Sequence, residues 1–305
     1  MSPDVPGGGE PGPGPRPAGY DPAPASAATP LPLAHGELDA GSAAELRELK
    51  EQILHVAGFQ CESYKEKCLR RRIAVRMRAR GVHTYADYGR LLAEDEEEYQ
   101  RLLDTLTINV SKFYRNPEVW QVVQEQVLPE LYALETARLR FWSAGCAGGE
   151  EPYSIAMLCH EYAEAHGHNR DRHRILATDV DARILDFARR GEYASFAMTD
   201  IPERVRHRWF EPDTTWRLRP EPKRHVRFER LDLLADPFPG RQHVIFCRNV
   251  IIYFERTLQE QLFHRFHEAL LPGGFLVLGK VEALLGGSAG LFRPIANRQR
   301  VFRKR

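Results

Sequence analysis

The stretch Trp142-Ser-Ala-Gly-Cys-Ala-Gly-Gly-Glu-Glu-Pro-Tyr-Ser154 decides the reading of this chain. A short strand-forming run ends at Ser143, a glycine-rich turn follows, and a helical segment begins that is apolar at Ile155, Leu158, Cys159 and Tyr162. Strand, tight turn and helix in that order open an α/β unit. Gly145, Gly148 and Gly149 permit positive φ and lack a Cβ, so a nucleotide-type ligand can lie against the backbone. The spacing is not G-x-G-x-x-G, which disfavours a dinucleotide and hence a nicotinamide dehydrogenase. Two carboxylates, Glu150 and Glu151, stand where a phosphate loop presents only N–H groups. They repel an anion and accept a cation. Pro152 is expected at the first helical position, which puts Glu151 at the cap with its side chain free for a ligand. The competing reading is that both glutamates complement the helix dipole, at about 0.3 to 1 kcal/mol each.

Working outward, the same alternation recurs. Strands are expected at Arg140–Ser143, Arg174–Thr178, His225–Glu229, Val244–Cys247 and Gly274–Leu278, with Arg300–Phe302 as an added edge strand. Thr257 with Glu260 offers a capping box for a helix bearing Leu258, Leu262 and Phe266, and Leu271-Pro-Gly-Gly274 is expected to end it. The fold class is α/β, a doubly wound, mostly parallel Rossmann-like sheet with its ligand at the carboxyl ends of the strands. Asp179, in Thr178-Asp-Val-Asp181, stands where such folds hold a ribose by its hydroxyls, while Asp181 reads as a helix N-cap. In Leu231-Asp232-Leu233, Asp232 can accept from an adenine amino group and the Leu233 N–H can donate to the ring.

Upstream the signature is helical. Ser42 with Glu45 resembles a capping box before Leu46, Leu49 and Ile53; Leu69, Ile73 and Met77 mark a second helix, Thr84 caps a third, and Tyr99, Leu102, Leu103 and Leu106 stripe a fourth. Ten of the 21 prolines fall in the first 32 residues among Gly and Ala. Such a segment cannot bury enough apolar surface to offset its ordering entropy. The expected organisation is therefore a disordered tail over 1–40, a small all-helical domain over 41–115 and the α/β domain over 116–305.

The chain has 305 residues and a formal net charge of +1, so no global field draws it to nucleic acid or anionic membrane. Its five cysteines are scattered and its twelve histidines show no ligand spacing, which argues against a disulfide framework and a metal site. No secretory signal or long apolar span is visible, and a cytoplasmic protein is expected. Local charge is another matter: Lys65 to Arg80 holds eight Lys/Arg against one Glu. A solvated face, an acidic protein partner and nucleic acid are the readings open to it, the last weakened by the lack of interleaved aromatics.

Several blocks together, Thr107-Ile-Asn-Val-Ser-Lys-Phe-Tyr-Arg115, Trp142–Ser154, Thr178–Asp181 and Phe246-Cys-Arg-Asn-Val-Ile-Ile-Tyr-Phe254, resemble the chemotaxis receptor glutamate methyltransferases, the CheR family. The resemblance covers about residues 45 to 305. It implies an N-terminal helical domain on an S-adenosylmethionine-dependent methyltransferase domain, with a receptor glutamate as acceptor and S-adenosylhomocysteine as product. By position it implies cofactor contacts at Asn109, Ser111, Arg115, Glu151, Asp179, Asp232 with Leu233, and Arg248 with Asn249, and it places Tyr253 beside the methyl-transfer site. Gly148 stands where a Thr is usual, and Asp232 replaces an Asn. Glu211 to His225 is short where some members carry a β-subdomain that grips a receptor-tail pentapeptide, so tethering is not expected.

The chemistry fits without a base. Glu has an unperturbed pKa of about 4.3, so an acceptor carboxylate is already nucleophilic at neutral pH and neither a Ser–His pair nor a metal is required. Arg115 is expected to orient that carboxylate and Tyr253 to align it. Arg72 and Arg76, on the basic helix, are expected to dock the Glu-rich receptor, recruiting a monomeric enzyme to receptor arrays at the inner membrane. The competing functions are a methyltransferase of the same fold acting on RNA or a small acid, and a non-catalytic regulator that binds partners through the basic helix.

Overall fold

The computed structural model describes residues 40–107 and 109–305, with side chains from Ala43 onward. The expected tail up to residue 39 lies outside the described residues, and Ser42, whose side chain is not described, falls inside the first helix, Ala40–Ala57, and not at its cap. Leu38–Arg305 cluster as one compact unit, so the helical and α/β parts pack on each other.

Four helices come first: α1 (Ala40–Ala57), α2 (Glu66–Ala79), α3 (Tyr85–Glu94) and α4 (Glu96–Thr107). Their apolar stripes meet in one core of Leu46, Leu49, Ile53, Leu69, Ile73, Met77, Tyr88, Leu92, Tyr99, Leu102 and Leu106. Each aliphatic side chain so buried contributes about 1.5 to 3 kcal/mol. Thr84 caps α3 as expected, its Oγ1 accepting the Asp87 N–H at 3.1 Å. A charge is buried beside this core. Glu98 is fully buried, and Arg76 donates to it through Nε at 3.0 Å and Nη2 at 2.5 Å while the Tyr88 hydroxyl donates at 2.8 Å. Arg76 is thus the counterion of an internal carboxylate.

After α5 (Pro117–Val122), a π-type turn (Val123–Val127) and α6 (Leu128–Tyr132), the sheet begins. Its elements in chain order are β1 (Leu139–Ala144), α7 (Glu150–Ala165), β2 (His173–Asp179), α8 (Ala182–Arg190), β3 (Glu192–Tyr193), α9 (Glu203–Trp209), β4 (Phe210–Pro212), β5 (Trp216–Leu218), α10 (Pro220–Lys223), β6 (Val226–Arg230), β7 (Gln242–Cys247), α11 (Arg256–Ala269), β8 (Leu270–Leu278), β9 (Phe292–Ala296) and β10 (Val301–Lys304). The main sheet has the order β6-β2-β1-β7-β8-β10-β9. Neighbours from β6 to β8 pair in parallel, and β10 and β9 are antiparallel additions. All six residues of β7 are buried, as a central strand covered on both faces requires. The order reverses between β1 and β7, and the carboxyl ends of those strands form the crevice where such sheets bind ligands.

Four local expectations are corrected. The terminal strand β10 is not the edge, because Phe292–Ala296 folds back outside it. Leu271–Gly274 lies within β8, as a bulge between the Gln242–Leu270 and Val244–Phe275 pairs, since α11 passes into the strand without a separate turn. Thr257 lies inside α11, whose cap is Glu255 without a side-chain bond. Glu151 is not a cap: Gly149, at φ +89°, caps α7, which makes Glu151 the second helical residue and Pro152 the third. A Cβ at Gly149 would also lie 2.9 Å from that of Ala188. The short Glu211–His225 stretch holds β4 and β5, which join β3 in a three-stranded antiparallel sheet. Among the described residues no helix is long and apolar enough to cross a membrane.

Candidate functional site

At the switch point lies a cavity of about 320 Å³, walled by the carboxyl ends of β1, β2, β6 and β7 and by the helical domain. Ser111, Arg115, Asp179, Asp232, Leu233, Arg248, Asn249 and Tyr253 all line it. Asn109 and Glu151 do not; each is bonded to a residue that does. Asn109 Nδ2 donates to Asp181 Oδ2 at 2.8 Å, and Glu151 pairs with Arg248.

The first wall is the glycine turn. Gly145 sits at φ +76°, and a Cβ there would come within 2.4 Å of Val250 Cγ2, so only glycine lets the β1 and β7 loops meet. The next turn delivers the Ala147 N–H to Asp179 Oδ2 at 2.9 Å, and the Asp181 N–H reaches Oδ1 at 3.1 Å. Asp179 is thereby aimed into the cavity from the end of β2. Burial pushes its carboxyl up to about 6, against these N–H bonds. Asp181 caps α8 as expected, accepting from the Arg183 and Ile184 N–H groups. Asp232 accepts the Leu234 N–H at 2.8 Å and holds the loop after β6 along the wall.

Behind the turn, Ser143 Oγ donates to Glu151 Oε1 at 2.7 Å, and Arg248 Nη1 lies 3.5 Å from Oε2. Arg248 Nη2 donates to the Arg115 carbonyl at 2.7 Å and to Asn116 Oδ1 at 3.1 Å. Burial raises the Glu151 carboxyl and Arg248 counters it. The pair therefore locks Arg115 to the end of β7, and Glu151 supports the wall rather than reaching into the cavity.

Sequence reasoning missed Glu282. It is 2% exposed, and its carboxylate accepts the N–H groups of Asn249 at 3.0 Å, Val250 at 2.9 Å and Ile251 at 3.1 Å, with Gly279 as a fourth donor. Asn249 is thereby held at φ +61°, and its buried Oδ1 has no hydrogen-bond partner. The signal was slight: an acid shortly after a buried strand. The walls from Phe59, Gln60, Tyr64, Gln100 and Leu103 were missed too, because nothing local links a helical domain to a distant loop.

Tyr253 closes the rim. The Arg72 guanidinium lies 4.4 Å from its ring centroid and donates to the Leu106 carbonyl. Lys65 donates from its N–H to the Tyr253 carbonyl and from Nζ to the Ile252 carbonyl, both at 2.8 Å. Arg72 is thus part of the rim, packed and half-buried, which corrects its expected place on an open docking face. Burial raises the Tyr253 hydroxyl, and Arg72 and Arg115 counter it.

Glu150 plays another part. It is 5% exposed, does not line the cavity, and its Oε2 has no partner. A Cβ on Gly148 would sit 3.0 Å from that oxygen, so a longer side chain there would meet the carboxyl. Desolvation lifts it from the usual 4.5 to about 7. A raised folded-state value means that ionisation opposes folding: stability is full below pH 4.5, falls as pH rises from there to about 7, and levels off above it. The interval corresponds to roughly 3 kcal/mol. Glu150→Gln should flatten the stability profile between pH 4.5 and 8 and exceed wild type at pH 8; urea unfolding that showed parallel profiles would refute this.

Among the described residues no group of three or more His, Cys, Asp or Glu is placed to hold a metal. The cavity does suit a cationic nucleoside. Asp179 offers acceptors to hydroxyls at the end of β2, and Asn249 lines the same cavity.

Comparison with known proteins agrees with this geometry. Residues 109–301 match the family described as CheR methyltransferase, SAM binding domain, and residues 44–107 match CheR methyltransferase, all-alpha domain. A chemotaxis protein methyltransferase of Listeria monocytogenes is 36% identical over 229 residues, 75% of this chain and 86% of that protein. One from Escherichia coli is 32% identical over 263 residues, 83% of this chain and 89% of that protein. An S-adenosylmethionine-binding methyltransferase domain thus follows an all-helical one, and the chain belongs to the CheR methyltransferase family.

Proposed function

We propose that this protein transfers a methyl group from S-adenosylmethionine to glutamate side chains of chemotaxis receptors, giving the glutamate methyl ester and S-adenosylhomocysteine. The observation that carries the reading is the rim: Tyr253 lies under the Arg72 guanidinium and within the field of Arg115, so the mouth of the cavity is built for a carboxylate. When bound, S-adenosylmethionine supplies an electrophilic methyl on a sulfonium. The chain's own residues need only bind, orient and exclude water. Asp179 accepts from ribose hydroxyls, Asp232 and Leu233 flank the base, and Asn249 with Ser111 receives the methionine end. Arg115 orients the acceptor carboxylate, and Tyr253 aligns it. Asn109 and Glu151 act one layer back, through Asp181 and Arg248. No proton leaves the acceptor, which is ionised at neutral pH.

With Arg72 and Arg76 occupied, the docking face shifts to the exposed stripe of Lys67, Arg71 and Arg78 on α2. A Glu-rich receptor helix is its proposed partner, and the enzyme is proposed to act as a cytoplasmic monomer drawn to receptor arrays. The proposed limits of the two domains are 41–115 and 116–305. The test is transfer of labelled methyl from S-adenosylmethionine to receptor cytoplasmic fragments, with methanol released by mild alkali. No base-labile label would refute the acceptor. Exposed charges act over a Debye length of about 8 Å at physiological salt, so reversing Lys67, Arg71 and Arg78 to Glu should raise the receptor KM several-fold, most at low salt, with cofactor affinity unchanged.

A further inference from the structure

The amino ends of the same strands carry a second concavity. Thr136, Arg138, Arg140, Arg241, His243 and Leu271 surround a cavity of about 230 Å³ at the starts of β1, β7 and β8, at the other end of the sheet from the cofactor cavity. Three guanidinium groups and an imidazole line it with no carboxylate among them. Arg138, Arg140 and Arg241 are exposed and have no ion-pair partner among the described residues. Like charges gathered this way repel unless an anion joins them.

The floor is built rather than incidental. His243 is 8% exposed, and its Nδ1 accepts the Arg140 backbone N–H at 3.0 Å. The neutral ring must then carry its proton on Nε2, a donor without a protein acceptor among the described residues. Burial lowers the His243 imidazole, and Arg140, Arg172 and Arg241 lower it further, which reports the positive potential at that point. Arg172 spends its own guanidinium on the Tyr132 and Thr136 carbonyls, both at 2.8 Å, and so fixes the loop that carries Arg138. Arg241 is held at φ +61°, a conformation unusual for a residue with a side chain.

We propose that this cavity binds a compact phosphate-bearing anion of the diphosphate class, either free diphosphate or the diphosphate of a nucleotide, independently of the cofactor. Planar arginine forks supply the charge-assisted bonds that pairs of phosphate oxygens accept, and His243 Nε2 supplies a directional donor from below.

The test uses the full chain and inorganic pyrophosphate at low ionic strength, followed by calorimetry and by NMR of the His243 ring. Saturable binding is expected to weaken with salt and to shift the His243 titration upward. Arg241→Gly suits the backbone there and should keep the fold, yet weaken pyrophosphate about tenfold or more; Arg138→Ser with Arg140→Ser should do the same. S-adenosylmethionine affinity should stay unchanged in both. Equal affinities for pyrophosphate and ADP assign recognition to the phosphates alone, and tighter ADP adds a nucleoside contact. Absence of saturable pyrophosphate binding, or binding that survives both sets of substitutions in folded protein, overturns the proposal.

Discussion

Glu282→Ala is expected to be the most damaging single substitution at the site. The carboxylate satisfies four backbone N–H groups, those of Asn249, Val250, Ile251 and Gly279, and all four would lose their acceptor. A buried donor left without a partner costs about 1 to 3 kcal/mol. The total, on the order of 4 kcal/mol or more, is a large share of the 5 to 15 kcal/mol that stabilises an ordinary domain. Local loss should come first, because the segment carrying Asn249 and Tyr253 is tied down on one side by Glu282 and on the other by Lys65 and Arg72. Glu282→Gln keeps one acceptor oxygen, for Val250 and Ile251 or for Asn249 and Gly279, and turns an amide donor toward the other pair. It should fall between wild type and Ala. Urea unfolding and methyl transfer measured together decide the matter: a loss under 1 kcal/mol with turnover intact would show that the loop holds itself.

Asp179→Ala should weaken S-adenosylmethionine roughly 10- to 150-fold, the equivalent of about 1.5 to 3 kcal/mol for a charge-assisted hydrogen bond. Asp179 is aimed by the Ala147 and Asp181 N–H groups and lines the cavity, so its removal deletes a direct contact. Glu151→Ala makes the useful contrast. Its partner Arg248 is 6% exposed, and stripping a buried charge of its counterion costs about 3 to 5 kcal/mol in stability. Asp179→Ala also strips the Ala147 and Asp181 N–H groups of their acceptor, so it should move cofactor affinity most, with a modest loss of stability. Glu151→Ala, which leaves the buried Arg248 unpaired, should move stability most. Titration calorimetry beside thermal unfolding separates them, and unchanged cofactor affinity in Asp179→Ala would remove Asp179 from the site.

How much of this was legible in the chain depended on whether the cause was local. Each of the five expected strands lies within or one residue outside an observed strand, because a buried parallel strand writes itself as a short apolar run bounded by Gly or Asp. Asp179 was legible because the strand it ends also sets where its side chain can go. The Thr84 cap is a bond between residues three apart, and it too was legible. At Glu151 and Thr257 the misreading was a shift of two positions in a helix start, at Glu151 because a positive-φ glycine caps the helix.

By itself, then, the sequence determined the two-part organisation, the doubly wound sheet and the acids Asp179 and Asp232 near the ends of its strands, because periodicity, turn chemistry and strand ends are local properties of the chain. Asn109, Ser111, Arg115, Arg248, Asn249 and Tyr253 were implied by the family resemblance alone. Only the tertiary structure decided what each charge is for. Arg76 and Arg72 look alike on a basic helix, yet one is taken by Glu98, 22 residues away, and the other lies on Tyr253, reached only when α2 packs against the loop after β7. Glu151 and Glu150 are neighbours, yet one is paired with Arg248 and the other has no ion-pair partner among the described residues and one oxygen, Oε2, without a hydrogen bond. The physical reason is that a charge's role depends on its burial and its partner, and both are set by packing between segments that the chain keeps far apart.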